Sequence, residues 1–211
     1  MKKPIIIVNL KTYQQGSESV RISKKIDKVS SGIIVGVQSS DIYEVCKKTK
    51  LKVYSQHVDY YEPGRYTGYI IPEAVKRDGA IGTFLNHSEH PLKLKVIKKT
   101  VLRCKKIGLK TAVFTKSLRE AKKIEKFSPD YLIYEPPELV GGDISVTTSK
   151  PELIEKIVKS IKMPILVGAG VKTYEDIKKC MELGSVGIAV SSAITKAKNP
   201  GKALKELIGE K

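Results

Sequence analysis

Cysteine is scarce in this chain of 211 residues, and the three that occur, Cys46, Cys104 and Cys180, lie far apart in the sequence. No two of them have the spacing of a disulfide framework or of a cysteine metal site, so neither organises the fold. Each falls in a helical pattern, which predicts a buried thiol that acts as a small apolar side chain.

Long hydrophobic runs are also missing. Runs such as Ile5 to Val8 cover only a few residues, far short of the roughly 20 that a transmembrane helix needs. The apolar run behind the basic residues 1–4 ends at Asn9, which is too early for a signal peptide. We therefore expect a cytoplasmic protein with no membrane partner.

Acidic residues are fewer than basic ones. The chain has 39 lysines and arginines and 22 aspartates and glutamates, which gives a formal net charge of +17. Nucleic-acid binding, attraction of an anionic substrate and a lysine-rich surface are the competing interpretations. The lysines are spread over nearly every predicted helix and are not interleaved with aromatic residues. That distribution favours a lysine-rich surface, and we expect no nucleic-acid partner.

What the chain does contain is a strict alternation of short apolar runs with amphipathic helical segments. The predicted strands cover residues 5–9, 32–37, 51–56, 80–85, 110–114, 131–134, 165–167 and 186–190. The predicted helices cover about 17–29, 40–48, 72–77, 91–107, 117–127, 151–161, 174–183 and 201–208. Short apolar strands that alternate with helices predict a parallel sheet with right-handed crossovers.

Eight such units are the number that closes a (β/α)₈ barrel. We therefore predict an α/β fold, a closed (β/α)₈ barrel that forms a single domain over residues 1–211 with short helices. An open doubly wound sheet is the alternative, although it often has a glycine-rich first turn and residues 9–13 here read Asn-Leu-Lys-Thr-Tyr. The chain is short for a barrel, so uncovered helix faces would be buried by other subunits, which hints at a homo-oligomer.

Active-site residues of such barrels lie at the carboxyl ends of the strands. Strand 1 ends at Asn9, with Lys11 two residues on, and strand 4 leads into His87 and Glu89. Strand 6 leads into Glu135. These positions place an amide, an ammonium, an imidazole and two carboxylates on one rim. No grouping of histidines and acids has the pattern of a metal site, and we expect none.

Glu135 begins a segment with the composition of a lid. Pro136 and Pro137 follow it, and Gly141 and Gly142 come shortly after. Proline stiffens the near end of a loop and glycine frees the far end. A base at the root of that loop becomes shielded from water when the loop closes. Taken alone, the stretch is equally compatible with a surface turn that carries a solvated glutamate.

Two other loops of the same rim fit a phosphate group. Gly170 lets a ligand approach the backbone, and Ser191 and Ser192 offer N–H donors at a helix start. Backbone N–H groups in such places bind phosphate. A pair of ordinary tight turns is the plainer alternative.

The charged rim residues have roles that the sequence leaves open. Lys11 either neutralises an anion or serves as a Schiff-base nucleophile. His87 comes just before a predicted helix, whose positive end favours a neutral imidazole that donates a hydrogen bond. We expect Glu89 to face a cation, with Lys11 as the partner.

Motifs along the whole chain resemble those of triosephosphate isomerases of the archaeal type, in the order that this family has them. They are Val8-Asn9-Leu10-Lys11, Gln56-His57-Val58-Asp59, Glu62-Pro63-Gly64, Thr67-Gly68, Pro72-Glu73-Ala74-Val75, Gly82-Thr83, Leu85-Asn86-His87-Ser88-Glu89, Tyr134-Glu135-Pro136-Pro137-Glu138-Leu139, Gly168-Ala169-Gly170 and Lys196-Ala197-Lys198-Asn199-Pro200.

The resemblance implies the TIM-barrel fold, no cofactor, and the interconversion of D-glyceraldehyde 3-phosphate and dihydroxyacetone phosphate through an enediolate. It implies that Glu135 is the base, that His87 is a neutral electrophile, and that Asn9 and Lys11 bind substrate and stabilise the enediolate. It implies a phosphate site formed by the backbone of Val140, Gly170, Ser191 and Ser192. It also implies a homotetramer.

Two positions depart from the family pattern. His90-Pro91 follows the His-Ser-Glu motif where many relatives have an arginine, and Asp143 replaces a glycine at the far hinge of the lid. Two alternatives to the isomerase remain. One is a phosphate-sugar aldolase that uses Lys11 as a Schiff-base residue, and the other is a basic nucleic-acid-binding protein, which only the net charge supports.

Overall fold

The computed structural model describes residues 3–136 and 151–210, and its eight strands close into a barrel in chain order. The strands are β1 (Ile5–Asn9), β2 (Ile34–Val37), β3 (Lys52–Ser55), β4 (Gly82–Leu85), β5 (Lys110–Thr115), β6 (Tyr131–Tyr134), β7 (Ile165–Val167) and β8 (Gly187–Val190). Neighbouring strands are parallel all the way round, including β1 with β8. The predicted closed (β/α)₈ barrel is confirmed.

Helices follow the strands on the outside of the barrel. In the described part of the chain they are α1 (Ser17–Val29), α2 (Ile42–Lys48), α3 (Pro72–Arg77), α4 (Leu94–Ile107), α5 (Leu118–Glu125), α6 (Pro151–Ser160), α7 (Tyr174–Glu182), α8 (Ser192–Thr195) and α9 (Pro200–Ile208). A 3₁₀ turn, Ser39–Asp41, precedes α2. Among these helices, none is both long enough and apolar enough to cross a membrane.

The predicted start of α1 at Ser17 is confirmed and that of α4 is wrong, and tertiary hydrogen bonds explain both. Ser17 is the first helical residue of α1 and Gly16 is its N-cap, with φ 56°. The Gly16 N–H donates to Asp41 Oδ1 at 3.0 Å, which holds this turn. Helix α4 begins at Leu94 and not near residue 91, because the Leu92 N–H donates to Asn86 Oδ1 at 2.8 Å.

The barrel interior combines aliphatic side chains with three aromatic ones, Tyr54, Phe84 and Phe114, and two of these rings lie beside glycines. A Cβ on Gly36 would lie 2.0 Å from the ring of Phe84, and a Cβ on Gly82 would lie 2.4 Å from the ring of Tyr54. Phe84 packs edge-on against Phe114, with ring centroids 5.7 Å apart. Phe114 lines the cavity at the carboxyl end of the barrel, so this stack forms part of the floor of the site.

Candidate active site

A cavity of about 700 Å³ opens at the carboxyl end of the barrel. Its walls come from the ends of β1, β4, β6, β7 and β8, as the position of barrel active sites requires. The predicted site residues that line it are Asn9, Lys11, His87, Glu135, Gly170, Ser191 and Ser192. Val140, Pro137, Gly141, Gly142 and Asp143, which belong to the predicted lid, lie outside the described residues.

Asn9, Lys11 and Gln56 form a hydrogen-bonded unit at the end of β1. Lys11 has φ 50°, an uncommon conformation for a residue with a side chain. Its N–H donates to Asn9 Oδ1 at 3.0 Å, and Gln56 Nε2 donates to its carbonyl oxygen at 2.8 Å. Gln56 Nε2 also lies 3.3 Å from Asn9 Oδ1. With its oxygen occupied, Asn9 presents its NH₂ group to the cavity as a donor.

The Lys11 ammonium pairs with Glu89, as the sequence predicted. Nζ lies 2.6 Å from Glu89 Oε1, and the lysine side chain is 21% exposed. A carboxylate at this distance stabilises the charged ammonium, whereas Schiff-base chemistry needs the neutral amine. The geometry therefore favours the role of Lys11 as a cation over its role as a nucleophile.

His87 is held as a neutral imidazole with its proton on Nε2. The Glu89 N–H donates to His87 Nδ1 at 3.1 Å, so Nδ1 carries the lone pair. Glu89 Oε2 lies 3.7 Å from the same Nδ1, which is too long for a hydrogen bond. Burial lowers the pKa of His87, the nearby Lys11 ammonium lowers it further, and Glu89 opposes both. The Nε2–H group therefore remains a donor directed into the cavity.

Glu135 follows β6 directly, and its carboxylate lies opposite His87. Its Oε2 is 3.9 Å from His87 Nε2, and the glutamate side chain is 12% exposed. Burial raises the pKa of Glu135 to about 8; the Lys11 ammonium lowers it and the Glu89 carboxylate raises it. A carboxyl group with this pKa is a much stronger base than an exposed one, and it is placed to exchange protons near neutral pH.

Gly168 provides the space that the Glu135 side chain occupies. A Cβ on this residue would lie 2.6 Å from Glu135 Cγ and 2.9 Å from its Oε1. It would also lie 2.8 Å from Ile133 Cγ2, which prevents a small adjustment of the backbone. The position of the base therefore depends on a glycine at the end of β7.

Asn86 fixes the segment that carries His87. It has φ 59°, and its Nδ2 donates to Phe114 O at 3.0 Å and to Glu120 Oε1 at 3.2 Å. Glu120 Oε2 in turn accepts from the Lys116 N–H at 2.9 Å. These bonds join the ends of β4 and β5, and His87 packs edge-on against Phe114 with ring centroids 4.6 Å apart.

The other side of the cavity is built from small residues and backbone groups. Gly170 has φ 67°, a left-handed conformation that suits glycine. Ser191 precedes α8, and Ser192 is the first residue of that helix. The N–H groups in the first turn of a helix have no acceptor within the helix, so those of Ser192 and Ala193 remain available at the cavity wall.

His90-Pro91, which stands where many relatives have an arginine, leaves the ion pair between Glu89 and Lys11 in place. His90 stacks on His57, with ring centroids 4.3 Å apart and an angle of 20° between the planes. Burial and the neighbouring His90 lower the pKa of His57, and Asp59 raises it. Both rings lie beside the Lys11–Glu89 pair in an adjoining cavity of about 300 Å³.

Four residues of the site were not predicted from the sequence, namely Gln56, Asn86, Glu120 and Gly168. Gln56 and Asn86 follow strands on the same rim, and this position is a signal that was available. Glu120 is the third residue of α5 after its N-cap Ser117, so its local pattern predicts helix capping. Within residues 3–136 and 151–210, no group of three or more His, Cys, Asp or Glu side chains has the arrangement of a metal site.

The comparisons agree on one family. The model of the triosephosphate isomerase family matches residues 4–209. The triosephosphate isomerase of Methanocaldococcus jannaschii is 39% identical, over 97% of this chain and 98% of the relative. That of Methanobrevibacter smithii is 36% identical over the full length of both. The crystal structure of the enzyme from Bartonella henselae, 17% identical, shares the fold with a TM-score of 0.75 over 96% of this chain and 98% of that one. The chain belongs to the triosephosphate isomerase family.

Proposed function

We propose that this site interconverts D-glyceraldehyde 3-phosphate and dihydroxyacetone phosphate by proton transfer, with Glu135 as the base. The observation that carries the proposal is the pairing of a buried carboxylate with the Nε2–H of a neutral imidazole, 3.9 Å apart across the cavity. A carbon acid next to a carbonyl needs both groups, one to remove the proton and one to polarise the oxygen. Family membership supports the substrate.

The first step breaks a carbon–hydrogen bond beside the carbonyl group. Glu135 takes the proton, the electron pair moves into a carbon–carbon double bond, and the carbonyl oxygen becomes an enediolate oxygen. His87 Nε2–H donates to the two oxygens of the intermediate. The Lys11 ammonium and the Asn9 NH₂ group face the same cavity, and they stabilise the negative charge. Glu135 then returns the proton to the neighbouring carbon, and the hydroxyl proton is redistributed through His87.

The phosphate group of the substrate fits the opposite wall. We assign it to the backbone at Gly170, Ser191 and Ser192, with Val140 as the contribution that the family resemblance implies. The left-handed Gly170 and the unpaired N–H groups of α8 support this assignment. The 700 Å³ cavity has room for a triose phosphate.

The direct test is a coupled assay with D-glyceraldehyde 3-phosphate on the wild type and on Glu135→Gln. We expect fast turnover by the wild type and a loss of several orders of magnitude in the variant. Glu155→Gln is a matched control, because Glu155 is an exposed carboxylate that pairs with Lys159 on α6. Comparable turnover by the wild type and Glu135→Gln would exclude Glu135 as the base.

Conversion of D-glyceraldehyde 3-phosphate in D₂O, together with borohydride trapping, separates the isomerase from the aldolase alternative. In D₂O, a base that exchanges protons with solvent introduces deuterium at the carbon that is reprotonated, and this is visible by NMR. An aldolase that uses Lys11 would instead form an imine with dihydroxyacetone phosphate, which borohydride reduces to a stable adduct. We expect deuterium in the product and no adduct on Lys11.

We also infer a homo-oligomer in a reducing compartment such as the cytoplasm. Tyr69 on loop 57–71 is 51% exposed and Leu102 on α4 is 50% exposed, and the Arg103–Glu62 ion pair joins that loop to α4. Exposed apolar side chains on neighbouring elements that form one patch are typical of subunit contacts. The tetramer is what the family resemblance implies. The three cysteines carry free thiols, as reducing conditions maintain them. Analytical ultracentrifugation of the wild type and Leu102→Glu tests the assembly, and a monomeric wild type would contradict it.

A further inference from the structure

Lys196 is a cation of the site cavity that the roles above leave unused. It follows α8 directly and lines the cavity together with Ser191 and Ser192. Its N–H donates to Ser192 O at 3.1 Å, so the two residues lie one helical turn apart on the same face. Side chains on a helix lean toward its N-terminus. The Lys196 side chain therefore extends back toward the N–H groups that we assign to the phosphate.

Tyr13 holds the Lys196 ammonium at this wall. The Nζ atom lies 4.6 Å from the centroid of the Tyr13 ring, within the range of a cation–π contact. Tyr13 lines the same cavity. Gln14, the next residue, donates from Nε2 to Thr195 O at 3.1 Å. The loop after β1 is thus tied to α8, and the ring and the ammonium are kept on one side of the cavity.

The two lysines at the β1 and β8 ends differ in how their charge is balanced. Lys11 already has a carboxylate partner, Glu89, at 2.6 Å. In the described ranges 3–136 and 151–210, no carboxylate lies within ion-pair distance of Lys196, whose contact is an aromatic ring. An aromatic ring supplies no negative counter-charge, so this ammonium can still pair with an incoming anion. The positive charge that is available to a dianion therefore lies at the wall where the phosphate is assigned.

We propose that Lys196 is a substrate-binding residue that contacts the phosphate dianion, and that Tyr13 holds its ammonium in place in the empty site. This inference rests on the proposed function, because it assumes a phosphorylated substrate on that wall. It predicts that Lys196 contributes to substrates that carry the phosphate and contributes nothing to the proton transfer itself.

The test compares Lys196→Met with two matched variants on two aldehydes. Lys196→Arg keeps the charge, and Lys198→Met removes an exposed lysine that does not line the cavity. For D-glyceraldehyde 3-phosphate, we expect kcat/KM of Lys196→Met to fall by about tenfold, mainly through KM, since a hydrogen bond to a charged group has about this effect. For D-glyceraldehyde, which lacks the phosphate, kcat/KM should stay the same. Lys196→Arg should recover most of the loss, and Lys198→Met should match the wild type.

Binding of inorganic phosphate, measured by titration calorimetry, gives a readout that does not depend on turnover. We expect the dissociation constant to rise by about tenfold in Lys196→Met and to stay at the wild-type value in Lys198→Met. Equal losses on both aldehydes, or unchanged phosphate binding in Lys196→Met, would overturn the assignment of Lys196. A wild type that binds phosphate with this dependence on Lys196 but does not isomerise the triose phosphate would overturn the proposed function alone.

Discussion

We predict that the buried carboxyl group of Glu135 makes the wild type less stable than the Glu135→Gln variant, in which a neutral amide replaces the carboxyl group. The difference in the free energy of unfolding depends on pH. The pKa of Glu135 is raised from the ordinary 4.5 to about 8, with burial as the largest cause. Between these two values the unfolded chain has lost the proton and the folded chain retains it. The folded state then binds more protons, so stability falls as pH rises through this window and levels off above pH 8.

The size of the effect follows from the two pKa values. Each tenfold change in proton affinity is worth about 1.4 kcal/mol, so at pH 9 the folded protein loses on the order of 5 kcal/mol relative to a site without a titrating group. At pH 5, just above the pKa of the unfolded chain, the loss is only about 1 kcal/mol. The Glu135→Gln variant keeps the shape and hydrogen-bonding capacity of the side chain and removes this cost.

Thermal melts of the wild type and Glu135→Gln at pH 5, 7 and 9, at one protein concentration, provide the measurement. We expect the variant to melt higher by roughly 10 °C at pH 9, given about 2–4 °C per kcal/mol for a chain of this size, and the difference to shrink toward pH 5. Glu155→Gln is the control. The pKa of Glu155 is lowered by the hydrogen bond and charge of Lys159, so its neutral analogue gains nothing at high pH. A difference between Glu135→Gln and the wild type that is the same at pH 5 and pH 9 would refute the reasoning.

Further predictions concern the ionisation and placement of the base and the ion pair that joins α4 to α3. The ionised fraction of Glu135 should control activity, so kcat/KM is expected to rise with pH up to about pH 8; a profile that is flat from pH 6 to 9 would contradict this. Gly168→Ala should displace Glu135 and lower kcat by about a hundredfold with an unchanged circular dichroism spectrum, whereas a fold that is lost would mean that Gly168 acts through stability. Arg103→Met should lower the free energy of unfolding in urea by roughly 2–4 kcal/mol, because Arg103 is 11% exposed and pairs with Glu73. In the control Lys106→Met, which breaks an exposed pair with Glu62, a loss below about 1 kcal/mol is expected, and equal losses in the two variants would argue against a special role for Arg103.

The strands could be predicted from the sequence because they are buried on both faces and therefore form short, continuous apolar runs. Residues 131–134 and 165–167, for example, are short apolar runs bounded by proline or polar residues, and the structure has strands with those bounds. No long-range information was needed to recognise them. The number of strands and their alternation with helices then predicted the closed barrel. Strand position also placed Asn9, His87 and Glu135 on one rim.

The groups that hold these side chains in place could not be predicted from the sequence, because each of them contacts a residue that is distant in the chain. Gln56 bonds to Lys11 over 45 residues, and Asn86 bonds to Glu120 over 34 residues. The space that Gly168 leaves for Glu135 depends on the packing of β6 against β7. Local spacing predicts neither these hydrogen bonds nor the space at Gly168. Periodicity shows which face of an element is buried and not what that face contacts.

The strained backbone at the rim also depends on contacts that local sequence does not predict. In the described residues, three positions other than glycine have a positive φ, namely Lys11, Asn86 and Ser128. Ser128 lies in the turn that follows α5, on the far side from the cavity, so a positive φ does not by itself mark the site. What distinguishes Lys11 and Asn86 is that side-chain hydrogen bonds hold both of them, Lys11 through Asn9 and Gln56 and Asn86 through its own amide. A conformation that costs about 1 kcal/mol or more persists where the surroundings determine it, and here it directs an ammonium and an imidazole at one point. The rim therefore combines three local costs, two strained backbones and one buried carboxyl group, and each of them places or activates a group that the proposed proton transfer uses.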